Sequence, residues 1–179
     1  MNYQPDWVDG QTVGTGRRDA EGRADAIADY LGDRRGFSVL DLGAYTGYFA
    51  HRFAYTHGAK VVAVDDHPNL REGPGVVVVR EQLTPPAIRQ LGPFDVALCL
   101  SVLHHQPKWR AYLNALCASA ELVFVETAHP DEVLPKAVAH GQSRAITKEL
   151  EKRAERVIAR TPGYDASCER PLWVIRASQ

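Results

Sequence analysis

The chain has little with which to staple itself. Its three cysteines, Cys99, Cys117 and Cys168, are odd in number, far apart and never in a C-x-x-C spacing. That excludes a disulfide framework and fits a reduced, cytoplasmic compartment. Long apolar runs are also missing. Nothing approaches the roughly 20 residues that span a bilayer, and the opening MNYQPDWVDG lacks a signal-peptide core, so no membrane partner is expected. Nor does one charge dominate: Lys and Arg number 21 against 22 Asp and Glu, and a net charge of −1 does not announce nucleic acid. No repeat, low-complexity tract or linker divides the 179 residues, 45% of which are hydrophobic. One domain over 1–179 with a proper core follows. No metal cluster with convincing ligand spacing is visible.

What the chain does have is the stretch Phe37 to Phe53, FSVLDLGAYTGYFAHRF. Ser38–Leu42 is a short apolar run that suits a buried parallel strand. Gly43 and Gly47 bracket a tight loop where backbone can approach a ligand. Thr46 is placed to cap a helix carrying Phe49, Ala50, Phe53 and Ala54 at helical spacing, with Gly58 to end it. Strand, glycine loop and helix make the first unit of a doubly wound sheet, whose ligands sit at the carboxyl ends of the strands. A dinucleotide fingerprint wants glycines at first, third and sixth places, which here hold Gly43, Tyr45 and Tyr48. Asp41 would also repel a diphosphate, whereas it suits a cationic ligand.

The segment Asp41-Leu42-Gly43-Ala44-Tyr45-Thr46-Gly47 instead resembles motif I of class I S-adenosylmethionine-dependent methyltransferases, D-x-G-x-G-x-G, with Tyr45 in place of the middle glycine. The apolar run Ala59–Val64 ends at Asp65-Asp66-His67-Pro68 and resembles motif II, which implies that Asp65 accepts the ribose hydroxyls and that Asp66 lies beside it. After the β-branched strand Val76–Val79, Glu81 and Gln82 both fall where the family places its adenine contact. Phe94–Leu100 resembles motif IV. The following Ser101-Val102-Leu103-His104-His105 resembles a turn of small-molecule methyltransferases. The resemblance puts Leu100 and Ser101 along the methionine part of the cofactor and His104 and His105 on the substrate side, where either histidine can serve as proton acceptor.

The rest of the chain is read more coarsely. Residues 1–18 look irregular, with Tyr3 and Trp7 as anchors, and form either a loosely held terminus or a flexible lid with Gly14–Arg18 as its tip. A helix is expected from about Asp19 to Leu31, and another through Trp109, Leu113 and Leu116. Leu122–Val125 is a strand whose end offers Glu126 and His129 as further pocket residues. Asp131–Ala139 reads as helical, and Ile146, Leu150, Val157 and Ile158 continue a charged helix as far as Pro162-Gly163, with an ion pair Glu149–Arg153. Leu172–Ile175 is the closing strand.

These readings predict an α/β protein: a doubly wound, mostly parallel seven-stranded sheet with helices on both faces and an antiparallel last strand. The resemblance implies methyl transfer from S-adenosylmethionine, leaving S-adenosylhomocysteine, to an O, N or C atom of a small molecule. Alternatives are an RNA- or protein-directed enzyme, which a basic rim around the crevice would mark, and an inactive binding module, for which Tyr45 speaks.

Overall fold

The computed structural model describes residues 2–134 and 137–177. Its order along the chain is β1 (Asp6–Val8), β2 (Gln11–Val13), α1 (Ala20–Leu31), β3 (Ser38–Leu42), α2 (Tyr48–His57), β4 (Lys60–Val64), β5 (Val76–Val79), α3 (Pro85–Leu91), β6 (Phe94–Leu100), α4 (Trp109–Ser119), β7 (Ala120–Glu126), α5 (Ser143–Arg153), β8 (Arg156–Pro162) and β9 (Glu169–Arg176). Seven strands form one sheet in the order β5-β4-β3-β6-β7-β9-β8. β3 pairs in parallel with β4 and β6, while β9 runs antiparallel to both β7 and β8. This is the expected doubly wound sheet.

Alternation along each strand makes two cores. Val39, Val96, Leu98, Leu122 and Phe124 face α1 and α2, packing with Ile27, Phe49 and Phe53. Leu40, Ala97, Cys99, Val123 and Val125 face the other layer, against Ile88, Trp109, Leu113 and Ile146. Phe53 and Phe124 are at most 1% exposed, and each contributes about 1.5–3 kcal/mol through burial. With apolar residues on both faces, the central strands read as near-continuous hydrophobic runs.

The helix expected from about Asp19 to Leu31 forms, with Asp19 as its cap: the Asp19 side chain accepts from Gly22 N at 2.8 Å. Four other local expectations change. Gly47 rather than Thr46 is the N-cap of α2, in a left-handed conformation, and no side chain caps that helix. Residues 1–18 contain the hairpin β1–β2, turned by Asp9 and Gly10 at φ 49° and 82°, and Arg18 is buried rather than at a loose tip. The charged helix stops at Arg153, and Val157 and Ile158 belong to strand β8. Its Glu149–Arg153 pair does form, at 2.5 Å. Across Asp131–Ala139 the described residues form turns rather than a helix, and residues 135 and 136 lie outside the described set.

Candidate active site

Parallel strands end along one edge, and the helices after β3 and β6 leave to opposite faces, so the sheet parts between them. A cavity of about 670 Å³ opens there, lined by the ends of β3 to β6 and the loops that follow.

The loop after β3 is held by backbone. Gly43 N and Ala44 N donate to Val64 O at 2.8 and 3.1 Å, and Gln4 Nε2 donates to Ala44 O. Gly43 has φ 79°, and a Cβ there would collide with Val102 Cγ2, so the position requires glycine. Tyr45 takes the left-handed region at φ 56° without being glycine. Its ring lines the cavity, 4.2 Å from the His67 ring and 5.5 Å from that of Tyr3.

Asp65 lines the cavity where β4 ends. Tyr45 N donates to its Oδ2 at 2.8 Å and His67 N to its Oδ1 at 2.9 Å. Both oxygens are fixed, and each keeps a lone pair. Beside it, Gln82 Nε2 donates to Asp66 Oδ2 at 3.0 Å, and Glu81, Gln82 and Asp66 all line the wall. Leu100, Ser101, His104 and His105 line it too.

Asp41, Ala44 and Gly47 do not. Asp41 lies under the loop, 2% exposed, with Oδ2 unpartnered. Burial, and then the neighbouring Asp65, push its carboxyl up to about 7. Ala44 is buried, and Gly47 heads α2 with φ 93°.

The two histidines differ. His104 is 2% exposed, and its Nδ1 accepts from Ala128 N at 3.1 Å. Accepting there puts the imidazole proton on Nε2. His105 is exposed at the mouth, and partial burial of its ring, then Arg170, lowers its pKa below 6.5. It is neutral at pH 7 and free to take a proton.

Glu126 and His129 do not line the cavity. Glu126 is fully buried, accepting from Arg18 Nη2 at 2.6 Å and Ser101 Oγ at 2.7 Å, with Arg23 at 3.6 Å and Arg170 at 3.7 Å. Burial opposes its ionisation, but Arg23, Arg18 and Arg170 together hold its pKa below the usual value. Arg170 also donates to Ser101 Oγ at 3.0 Å and, through Nε and Nη2, to Glu132 at 2.6 and 3.0 Å. His129 Nδ1 instead accepts from Asp131 N.

Among the lining residues, Gln106, Tyr112, Tyr164 and Arg170 escaped sequence reading, and Tyr3 was read only as an anchor of residues 1–18. Tyr164 stacks on Tyr3 at 6.3 Å, and the Arg17 guanidinium lies 5.0 Å over its ring. The count of tyrosine was visible, but nothing local says that they converge.

A family model described as "Methyltransferase domain" matches residues 16–150. The chain belongs to the methyltransferase-domain family. Solved structures of similar fold include WbdD in complex with a kinase inhibitor, at 23% identity and TM-score 0.71 over 92% of this chain. This chain spans only 42% of that protein. Another is 1,6-didemethyltoxoflavin-N1-methyltransferase of Burkholderia thailandensis with bound 1,6-didemethyltoxoflavin and S-adenosylhomocysteine, at 21% identity and TM-score 0.65, covering 89% of this chain and 78% of that one. A third is magnesium protoporphyrin IX methyltransferase of Synechocystis PCC 6803 with S-adenosylmethionine bound, at 19% identity and TM-score 0.61, covering 88% of this chain and 79% of that one. No curated protein sequence matches the chain. Among the described residues, no helix is long and apolar enough to cross a membrane.

Proposed function

We propose that this methyltransferase uses S-adenosylmethionine and methylates an O, N or C atom of a small molecule. The observation that carries this reading is the Asp65 carboxylate, fixed by two backbone amides at the cavity edge beside a glycine that only a bare backbone can fill. A carboxylate with one lone pair left on each oxygen suits a vicinal diol. Asp66, Glu81 and Gln82 flank it and supply acceptors and an amide for an adenine. Gly43 and Tyr45 in the loop, with Leu100 and Ser101, line the wall for the methionine part. Asp41, Ala44 and Gly47 act from beneath, holding the loop rather than touching the ligand.

Bound S-adenosylmethionine supplies an electrophilic methyl group on a sulfonium whose transfer leaves a neutral thioether, so no acid is needed for the leaving group. The chain's task is alignment and exclusion of water. Residues 1–18 contribute Tyr3 to the wall, consistent with a cover in a single domain over 1–179. Where the nucleophile is a hydroxyl, His105 takes its proton. The two neighbours that act on a toxoflavin precursor and on a porphyrin support a small-molecule substrate. The cavity wall carries three carboxylates and one arginine, which does not favour nucleic acid.

Calorimetry with S-adenosylhomocysteine tests this. Asp65→Ala should weaken binding by about 1–3 kcal/mol through loss of the fixed acceptor. Equal affinity in both proteins removes Asp65 from the site.

A further inference from the structure

A second, smaller cavity of about 230 Å³ shares Tyr45 with the first. Strand β1, the loop before α2, the first turn of α2 and the loop after β4 meet around it. Asp6, Asn69 and Arg71 line it and are exposed. Among the described residues, no hydrogen bond or salt bridge uses their side chains. Two histidines line it as well. His51 Nε2 lies 3.1 Å from Arg71 O, and a carbonyl only accepts, so the proton sits on Nε2 and Nδ1 is left as an acceptor. Burial lowers the pKa of His51, so the ring is neutral at pH 7. His67 runs the other way: its Nδ1 accepts from Asn69 N at 3.3 Å, which leaves Nε2–H as a donor. The lining thus sets a carboxylate against a guanidinium and an acceptor imidazole against a donor imidazole. The Asn69 amide both donates and accepts.

We propose that this second cavity binds a neutral polyhydroxylated ring, a sugar or a cyclitol. An anion wants donors alone and a cation wants acceptors alone, whereas a hydroxyl donates one hydrogen bond and accepts two. The balanced lining suits the hydroxyl. Trp7 and Tyr45 add ring surface against which the C–H groups of such a ligand pack. The volume of about 230 Å³ falls below the roughly 300–1,000 Å³ of drug-sized pockets, which limits the ligand to about one ring. Asp6 opposes phosphate. A free amino acid would use Asp6 and Arg71 but leave both imidazoles and Asn69 unserved. The site does not rest on the function proposed above, because it needs neither the cofactor nor the methyl acceptor.

Calorimetry on the full chain tests this with myo-inositol, D-glucose, inorganic phosphate and L-serine, each with and without saturating S-adenosylhomocysteine. Wild type is compared with Asn69→Ala and Arg71→Ala. Both side chains are exposed and hold nothing else, so melting curves should match that of the wild type. Asp6→Ala replaces either variant whose curve shifts. The expected result is millimolar binding of at least one polyol, as suits a ligand of this size, with phosphate and serine both weaker. Asn69→Ala or Arg71→Ala then weakens that polyol about tenfold through a lost hydrogen bond. The polyol also still binds protein saturated with S-adenosylhomocysteine. The proposal is overturned if neither polyol binds, or if phosphate or serine binds more tightly than both. It is equally overturned if no variant weakens the polyol, or if S-adenosylhomocysteine displaces it, which puts the polyol in the larger cavity. Wild type that binds no S-adenosylhomocysteine sinks the proposed function instead, and the titrations without it still decide this site.

Discussion

The two ends of the cavity are built in opposite ways. At one end Asp65 is fixed by amides of Tyr45 and His67, no more than 20 residues away, and stays half-exposed. At the other, Ser101, Glu126, Glu132 and Arg170 are buried, and the bonds that join them to one another and to Arg18 span 25 to 108 residues of the chain. The first end needs only two neighbouring parallel strands and their loops. The second needs β6, β7, β9 and the segment before α1 all in place, because a buried charge is tolerated only with its partners. One end is therefore a local device, and the other reports on the whole fold.

The largest expected effect lies at the histidine pair. His105→Ala should lower turnover on a hydroxyl substrate about 10²–10⁴-fold with cofactor affinity nearly unchanged. Because the His105 pKa is lowered, the wild-type rate should fall only below pH 6.5, as the ring protonates, and that acid limb should vanish in the variant. His104→Ala should cost less in rate and more in stability, since Ala128 N loses its acceptor. Full activity in both variants means catalysis by alignment alone.

Next comes the buried end itself. Glu126→Gln keeps the shape but leaves Arg18, Arg23 and Arg170 with Glu132 as the remaining carboxylate of the described cluster. Breaking such a buried arrangement costs about 3–5 kcal/mol, which urea unfolding would read directly. Asp65→Ala should instead leave the unfolding midpoint near that of the wild type. If the two variants are equally destabilised, the contrast between the ends does not hold.

Asp41 belongs to neither end, and its effect depends on pH. Burial, then Asp65, raise its carboxyl from 3.8 to about 7 in the fold. The folded state thus binds the extra proton between those values, and stability from this group, full below pH 3.8, is lost as pH rises towards 7. The total is on the order of 4 kcal/mol. Glu126 and Glu132, with lowered pKa values, run the other way and lose their contribution as pH falls. The informative quantity is the difference between wild type and Asp41→Asn, which should shift against the wild type from pH 4 to 7. A flat difference refutes the account of Asp41.

The same division explains what the sequence made legible. β5 and β6 are continuous apolar runs between turn residues, and their bounds were read correctly. Asp65, Asp66, Gln82 and Ser101 each follow such a strand, so finding the strand finds the residue. Strand β8 was taken for helix because it is a sheet edge with exposed Arg156 and Arg160, and a register shift between Val157 and Ala159 breaks its alternation. The β1–β2 hairpin had a signal, Asp9-Gly10 between Trp7-Val8 and Gln11-Thr12-Val13, since Asp-Gly suits a two-residue hairpin turn. Arg18, Glu132 and Arg170 had none. Their chemistry comes from partners across the fold, and no spacing encodes it.

The smallest expected effect is at Tyr45, where the relief of backbone strain opposes two losses. A left-handed φ of 56° costs a residue other than glycine about 1–2 kcal/mol, which Tyr45→Gly recovers. Glycine also has more freedom to lose on folding, about 0.5–1 kcal/mol. The variant further gives up ring contacts with His67 and Tyr3, each worth about 0.5–1.5 kcal/mol beyond burial. Stability should therefore fall on balance, by about 1 kcal/mol. Binding is the sharper readout, because Tyr45 N, which holds Asp65, survives the substitution. If the ring stays clear of the ligand, affinity for S-adenosylhomocysteine stays within about threefold of wild type, inside the spread expected of a change removed from binding contacts. A gain of tenfold or more means the ring occupies the ligand's space, and the inactive binding module becomes the better reading.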